Sequence, residues 1–195
     1  MKRTILGKRN VLGALAVGCV AMAAMAPSLS HAFDGQLDFT GSITDVTCTI
    51  NGKPAGPNNR TTVDLGRVDP VIFTAVGTKS PAVPFSLVLG GGTACKDKTK
   101  ASISFDTGSA NIDPVTGNLI LQGSAAAQGV QIEVSDNGNS ATGKIALNQA
   151  QASPQVATIT GNTATLTYSA AYVQTAAAVT AGAGNSFIRY TMAYY

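Results

Sequence analysis

Ser186-Phe187-Ile188-Arg189-Tyr190-Thr191-Met192-Ala193-Tyr194-Tyr195 closes the sequence, and its alternation decides the fold. Ile188, Tyr190, Met192 and Tyr194 fall on one side, with Arg189, Thr191 and Ala193 on the other. This is the period-2 pattern of a strand with one face buried. No residue follows Tyr195 to supply that strand with a further neighbour. Near the other end, Gly35-Gln36-Leu37-Asp38-Phe39-Thr40-Gly41-Ser42-Ile43 alternates in the same way and sets Leu37, Phe39, Gly41 and Ile43 on one face. A strand offered at one end and a sheet edge left open at the other point to a chain that completes its neighbour by strand addition between chains.

Residues 1–32 read as a secretory signal peptide. Lys2, Arg3, Lys8 and Arg9 precede an apolar run from Val11 to Met25, and Ser30-His31-Ala32 forms a small-x-small cleavage site, with the cut before Phe33. A transmembrane helix is one alternative, but Gly13, Gly18 and Pro27 interrupt a run already short of the roughly 20 apolar residues that a span needs. A lipoprotein box at Ala16-Val17-Gly18-Cys19 is another, with Ala16 where Leu is usual.

Export changes the meaning of the composition. The sequence has 13 Lys and Arg against 10 Asp and Glu, but four of the basic residues lie in 1–32, so the rest is slightly acidic. Nothing in it favours nucleic acid or an anionic membrane as a partner. The one His, His31, and one of the three Cys, Cys19, leave with the same segment, and Trp is absent. What remains is the size of a single domain with room for a substantial core.

Cys48 and Cys95 are therefore the cysteines of an exported chain, where a disulfide is the default. A redox or metal pair is the alternative, and two distant Cys without a His make a poor metal site.

Between the two ends, short strand-like runs cover 37–50, 61–65, 84–89, 101–105, 118–122, 129–135, 144–147, 155–160, 164–173 and 186–195. Turn chemistry separates them at Lys53–Asn59, at Asp113–Asn118 and at Asn137-Gly138, the last a hairpin signal. Ala176-Ala177-Ala178 sits among Thr, Val and Gly and reads as a loop. No convincing helix is present, and regular short strands with Gly/Pro-rich turns point to a β-sandwich.

Enzymatic chemistry finds little support. Without His there is no Ser-His-Asp or Cys-His arrangement. Asp106, Asp113, Glu133 and Asp136 could supply an acid/base pair, but they fall at strand ends and turns and read as solvated surface. Gly90-Gly91-Gly92 lacks the Gly-Lys-Ser/Thr of a phosphate loop and reads as a turn. Lys96-Asp97-Lys98-Thr99-Lys100 reads as a solvated loop, and Asn59-Arg60-Thr61 is a formal glycosylation sequon. No cofactor and no metal are expected.

The chain resembles the chaperone/usher pilins, in particular the major subunits of the type 1 and P pilus kind, over essentially all of the sequence after residue 32. The resemblance rests on Gly35-Gln36-Leu37-Asp38-Phe39-Thr40-Gly41-Ser42-Ile43-Thr44-Asp45-Val46-Thr47-Cys48, on Val63-Asp64-Leu65-Gly66-Arg67-Val68, and on Pro84-Phe85-Ser86-Leu87-Val88-Leu89 with Cys95 after it. Gly129-Val130-Gln131-Ile132 and the closing segment with Gly182 and the penultimate Tyr194 complete it. It implies an all-β, incomplete immunoglobulin-like sandwich lacking its last strand, which a donor strand from a neighbouring subunit completes.

The implied division is a signal peptide at 1–32, a donor arm at 33–46 and a pilin domain at 47–195. Leu37, Phe39 and Ile43 would enter a neighbour's pockets, and Gly41 would lie over a place with no space for a side chain. A periplasmic chaperone would first hold the strand carrying Ile188, Tyr190, Met192, Tyr194 and Tyr195, and anchor the terminal carboxylate. An outer-membrane usher would then pass the subunit to a homopolymeric fimbria on the cell surface. Tyr195 departs from the family, which often ends on a polar residue. A minor adaptor pilin of the same fibre and a monomeric secreted carbohydrate-binding sandwich are the competing readings, the second weakened by the few aromatic residues.

Overall fold

The computed structural model describes residues 45–138 and 143–195; the arm residues Leu37, Phe39, Gly41 and Ile43 lie outside them. Nine strands are described: β1 (Thr49–Ile50), β2 (Val83–Gly90), β3 (Lys100–Phe105), β4 (Leu119–Ile120), β5 (Val130–Asp136), β6 (Gly143–Lys144), β7 (Ala157–Thr158), β8 (Ala164–Gln174) and β9 (Tyr190–Tyr194). They form two antiparallel sheets. One runs β1-β2-β8-β5-β4 with β6 also on β5, and the other runs β7-β3-β9.

Alternation along the long strands builds the core. Leu87 and Leu89 of β2, and Leu166 and Tyr168 of β8, point inward and are buried, whereas Val88 between the two leucines is exposed. Ala101 and Ile103 of β3 meet them from the second sheet. The Tyr168 ring stacks on Phe85 at 5.6 Å and meets Phe105 of the opposite sheet edge-on at 6.1 Å. Ring pairs of this kind add about 0.5–1.5 kcal/mol beyond the area they bury.

Cys48 and Cys95 are bonded to each other and buried. Their bridge ties the segment before β1 to the turn before β3. At a sequence separation of 47, the chain-entropy account gives about 4 kcal/mol of stabilisation.

Several strands are shorter than their alternation suggested. Residues 61–65 form no strand; Leu65 still packs against the core, and Asp64 Oδ1 accepts from the Gly66 amide at 2.9 Å in a turn that needs the positive φ of Gly66. Within 144–147, Ile145 and Leu147 are buried, but their amides bond to Val134 and Gly117 and not to a long ladder. Of 37–50, only Thr49–Ile50 is strand among the described residues. The apolar pattern located buried side chains, while these segments do not continue as ladders. The hairpin signalled at Asn137-Gly138 joins β5 to β6, yet its connection spans 137–142 and is not a two-residue turn.

Two of the carboxylates expected on the surface are buried. Glu133 lies on the outer face of β5, covered by Lys79, whose Nζ donates to it at 2.5 Å. Asp136 faces the core; its Oδ1 accepts from Gly138 N at 2.9 Å and from Gln155 Nε2 at 2.5 Å. Each of these two carboxylates is held by polar partners brought to it by the fold.

Candidate functional site

β9 pairs with β3 through Ala101↔Tyr194, Ile103↔Met192 and Phe105↔Tyr190. Its phase is fixed at both ends. Lys100 and Tyr195 exchange both backbone hydrogen bonds, and Asp106 N donates to Arg189 O. In an antiparallel ladder only alternate residues bond to a given neighbour, so Arg189, Thr191, Ala193 and Tyr195 face β3. The N–H and C=O groups of Tyr190, Met192 and Tyr194 therefore point away from it. Among the described residues no strand receives them.

The same residues carry the apolar stripe. Ile188, Tyr190, Met192 and Tyr194 pack against the core but remain half-buried, while Thr191 and Ala193 are exposed. Burial pushes the Tyr190 and Tyr194 phenols up from their ordinary pKa, and the Cys48 backbone near Tyr194 works in the opposite sense. Tyr195 is 57% exposed. Among the described residues, β9 presents an unpaired backbone edge beside partly covered apolar side chains, which is a template for an added strand.

The chain approaches β9 under tight constraint. Ala183 N donates to Ala125 O and Ala127 N to Ala183 O, a parallel contact centred on Ala126 and Ala183. A Cβ on Gly182 would run into the backbone of Ala125–Ala127, which is the physical reason for the glycine singled out in the sequence. Further on, Ser186 Oγ donates to Ile120 O at 2.8 Å and Asn111 Nδ2 to Phe187 O at 3.1 Å. These bonds deliver Ile188 to the core side while leaving Phe187 exposed.

One contact was not foreseen. Lys96 donates to both carboxylate oxygens of Asp45, at 2.5 and 2.6 Å, so the lysine segment is more than a solvated loop. A charge pair 51 residues apart in sequence leaves no local signal. Among the described residues no group of three or more His, Cys, Asp or Glu could hold a metal ion.

The fimbrial protein family matches residues 37–194. The chain belongs to that family. The long polar fimbria protein A of Salmonella typhimurium is 31% identical over 189 residues, covering 97% of this chain and 98% of that one. The major fimbrial subunit SMF-1 of Stenotrophomonas maltophilia is 36% identical, covering 89% of this chain and 99% of that one. Among solved structures, the CupB6 tip adhesin from Pseudomonas aeruginosa superposes with a TM-score of 0.51 at 26% identity, over 67% of this chain and 34% of that longer one. The fold is the all-β, incomplete immunoglobulin-like sandwich of a fimbrial subunit, and its function is that of a structural component of a surface fimbria.

Proposed function

We propose that this fimbrial subunit polymerises by inserting its own arm, residues 33–46, along β9 of the next copy. The edge of β9 carries the reading: main-chain groups at Tyr190, Met192 and Tyr194, which no strand among the described residues receives, lie beside a half-covered apolar stripe. An added strand satisfies the first and covers the second. Leu37, Phe39 and Ile43 supply the apolar side chains, each contributing roughly 1.5–3 kcal/mol when buried, and Gly41 lies where no side chain fits.

Before assembly, a periplasmic chaperone occupies the same edge through Ile188, Tyr190, Met192, Tyr194 and Tyr195, and an outer-membrane usher releases the subunit to the fibre. Residues 1–32 direct export into the periplasm. Relatives named as major subunits and matched over nearly their whole length support the major-subunit role over that of a minor adaptor. Deleting residues 33–44 tests this reading: fibre growth is lost while chaperone-bound subunit accumulates normally. Normal fibres from the truncated chain would overturn it.

A further inference from the structure

The dipeptide Asn-Gly occurs at Asn51-Gly52 and at Asn137-Gly138, and the fold treats the two pairs oppositely. At the first, the asparagine side chain is engaged at both ends: Nδ2 donates to Thr61 Oγ1 at 3.0 Å and to Ser86 O at 3.3 Å, and Oδ1 accepts from Val88 N at 2.8 Å. At the second, β5 ends on Asp136, and Asn137 N donates to Thr167 O at 3.1 Å. Gly138 N then donates to Asp136 Oδ1 at 2.9 Å, while Ser169 Oγ donates to Asn137 Oδ1 at 3.3 Å. Gln155 fixes the carboxylate, since its Nε2 donates to the same Oδ1 at 2.5 Å and its amide is bonded to both the N–H and the carbonyl of Thr167. Among the described residues the buried Oδ2 of Asp136 has no hydrogen-bond partner, a condition that calls for an explanation in a folded protein. Gly138 lies so close to the Gln155 amide that a Cβ would collide with it. Glycine is required there, and it leaves the nitrogen at 138 unshielded.

We propose that Asn137 is a self-modification site, deamidated in the folded subunit with Gly138 N as the nucleophile, Asp136 as its base and Ser169 as the donor that polarises the reacting carbonyl. The 2.9 Å contact between Gly138 N and Asp136 lies within the reach of about 2.6–3.2 Å that proton transfer to a base needs. Gly138 N gives its proton to the carboxylate and bonds to Asn137 Cγ, while the Ser169 hydroxyl steadies the charge that develops on Oδ1. The Cγ–Nδ2 bond then breaks, and Nδ2 leaves as ammonia with the proton that Asp136 took. Water adds to the cyclic imide and opens it at either carbonyl, giving aspartate or isoaspartate, with nothing oxidised or reduced. Asn137 is exposed, so water enters and ammonia leaves freely. It follows the inward-facing Asp136 and lies on the outer face of the sheet beside Ser169, so each conversion adds a negative charge there. Asn51 is spared. Two acceptors hold its leaving nitrogen, and three bonds oppose the rotation that would carry its Cγ to Gly52 N.

The test incubates freshly assembled fibres in neutral buffer beside the same chain unfolded in urea, and follows both Asn-Gly pairs by peptide mass spectrometry with isoaspartate detection. In the unfolded chain the two pairs convert at comparable rates. In fibres Asn137 converts faster than it does unfolded, on the order of 10²-fold, the lower end for a positioned base, while Asn51 stays intact. Asp136→Asn brings the folded rate down to that of the unfolded chain, and Ser169→Ala slows it about two- to tenfold, as the loss of one neutral hydrogen bond does. Conversion of Asn137 in fibres no faster than in the unfolded chain would overturn the proposal, since order then only protects the pair. So would Asn51 converting as fast as Asn137 in fibres, or both variants converting at the wild-type rate. The comparison of the two pairs in wild-type fibres needs no variant to fold.

Discussion

Lys100 and Tyr195 exchange both of their backbone hydrogen bonds, with N···O distances of 2.8 and 3.0 Å. That pair sets the phase of everything before it. Ala193 and Thr191 follow as residues bonded to β3, and Tyr194, Met192 and Tyr190 become the residues whose backbone faces the open edge. Side-chain alternation has the same period, so the residues that offer an incoming strand its hydrogen bonds also carry the apolar stripe.

Gly182→Ala should destabilise the folded subunit. The new methyl meets backbone of Ala125–Ala127 and not a movable side chain, and overpacking of this kind costs about 1–3 kcal/mol. Denaturant unfolding should show a lowered midpoint with an unchanged slope, and the yield of folded subunit should fall.

Alkali should unfold the domain through Tyr168. Burial, with Asp136 close by, holds its phenol well above the ordinary value of 10.0. The folded state therefore keeps a proton that the unfolded chain releases. Stability is insensitive to this group below pH 10 and is lost as pH rises above it. Tyr168→Phe should unfold at higher pH than the wild type in an alkaline titration, though it removes no apolar contact of the ring.

Gly41→Leu should leave the chaperone-bound subunit at normal yield and slow or abolish fibre growth. A leucine there forces the paired backbones apart and displaces Phe39 and Ile43 from their pockets. If Gly41 served its own chain as a turn or bulge, the chaperone-bound yield would fall instead. Measuring both yields side by side separates the outcomes.

Period-2 alternation made the architecture legible in the sequence. It marked Phe85, Leu87 and Leu89, it marked Leu166 and Tyr168, and it marked the stripe from Ile188 to Tyr194, because a strand with one buried face has little freedom in where it puts apolar side chains. What alternation does not encode is the partner of the backbone. Ile145, Leu147 and Leu65 obey the pattern but lie outside the described strands. Charge position was equally hidden: the sequence neighbours of Glu133 and Asp136 do not disclose their burial, because the groups that make it tolerable are Lys79 and Gln155, brought in from elsewhere. The Asp45–Lys96 pair was invisible for the same reason, since it depends on the Cys48–Cys95 bridge to bring its two segments together.

The central claim is that an added strand occupies the free edge of β9, and amide hydrogen exchange in intact fibres tests it most directly. Thr191 and Ala193 bond to β3 whether or not a neighbour is present, so their amides serve as an internal reference. The account predicts that Tyr190, Met192 and Tyr194 exchange as slowly as Thr191 and Ala193 in the fibre. An alternating pattern, with Tyr190, Met192 and Tyr194 exchanging fast between slow neighbours, would contradict it.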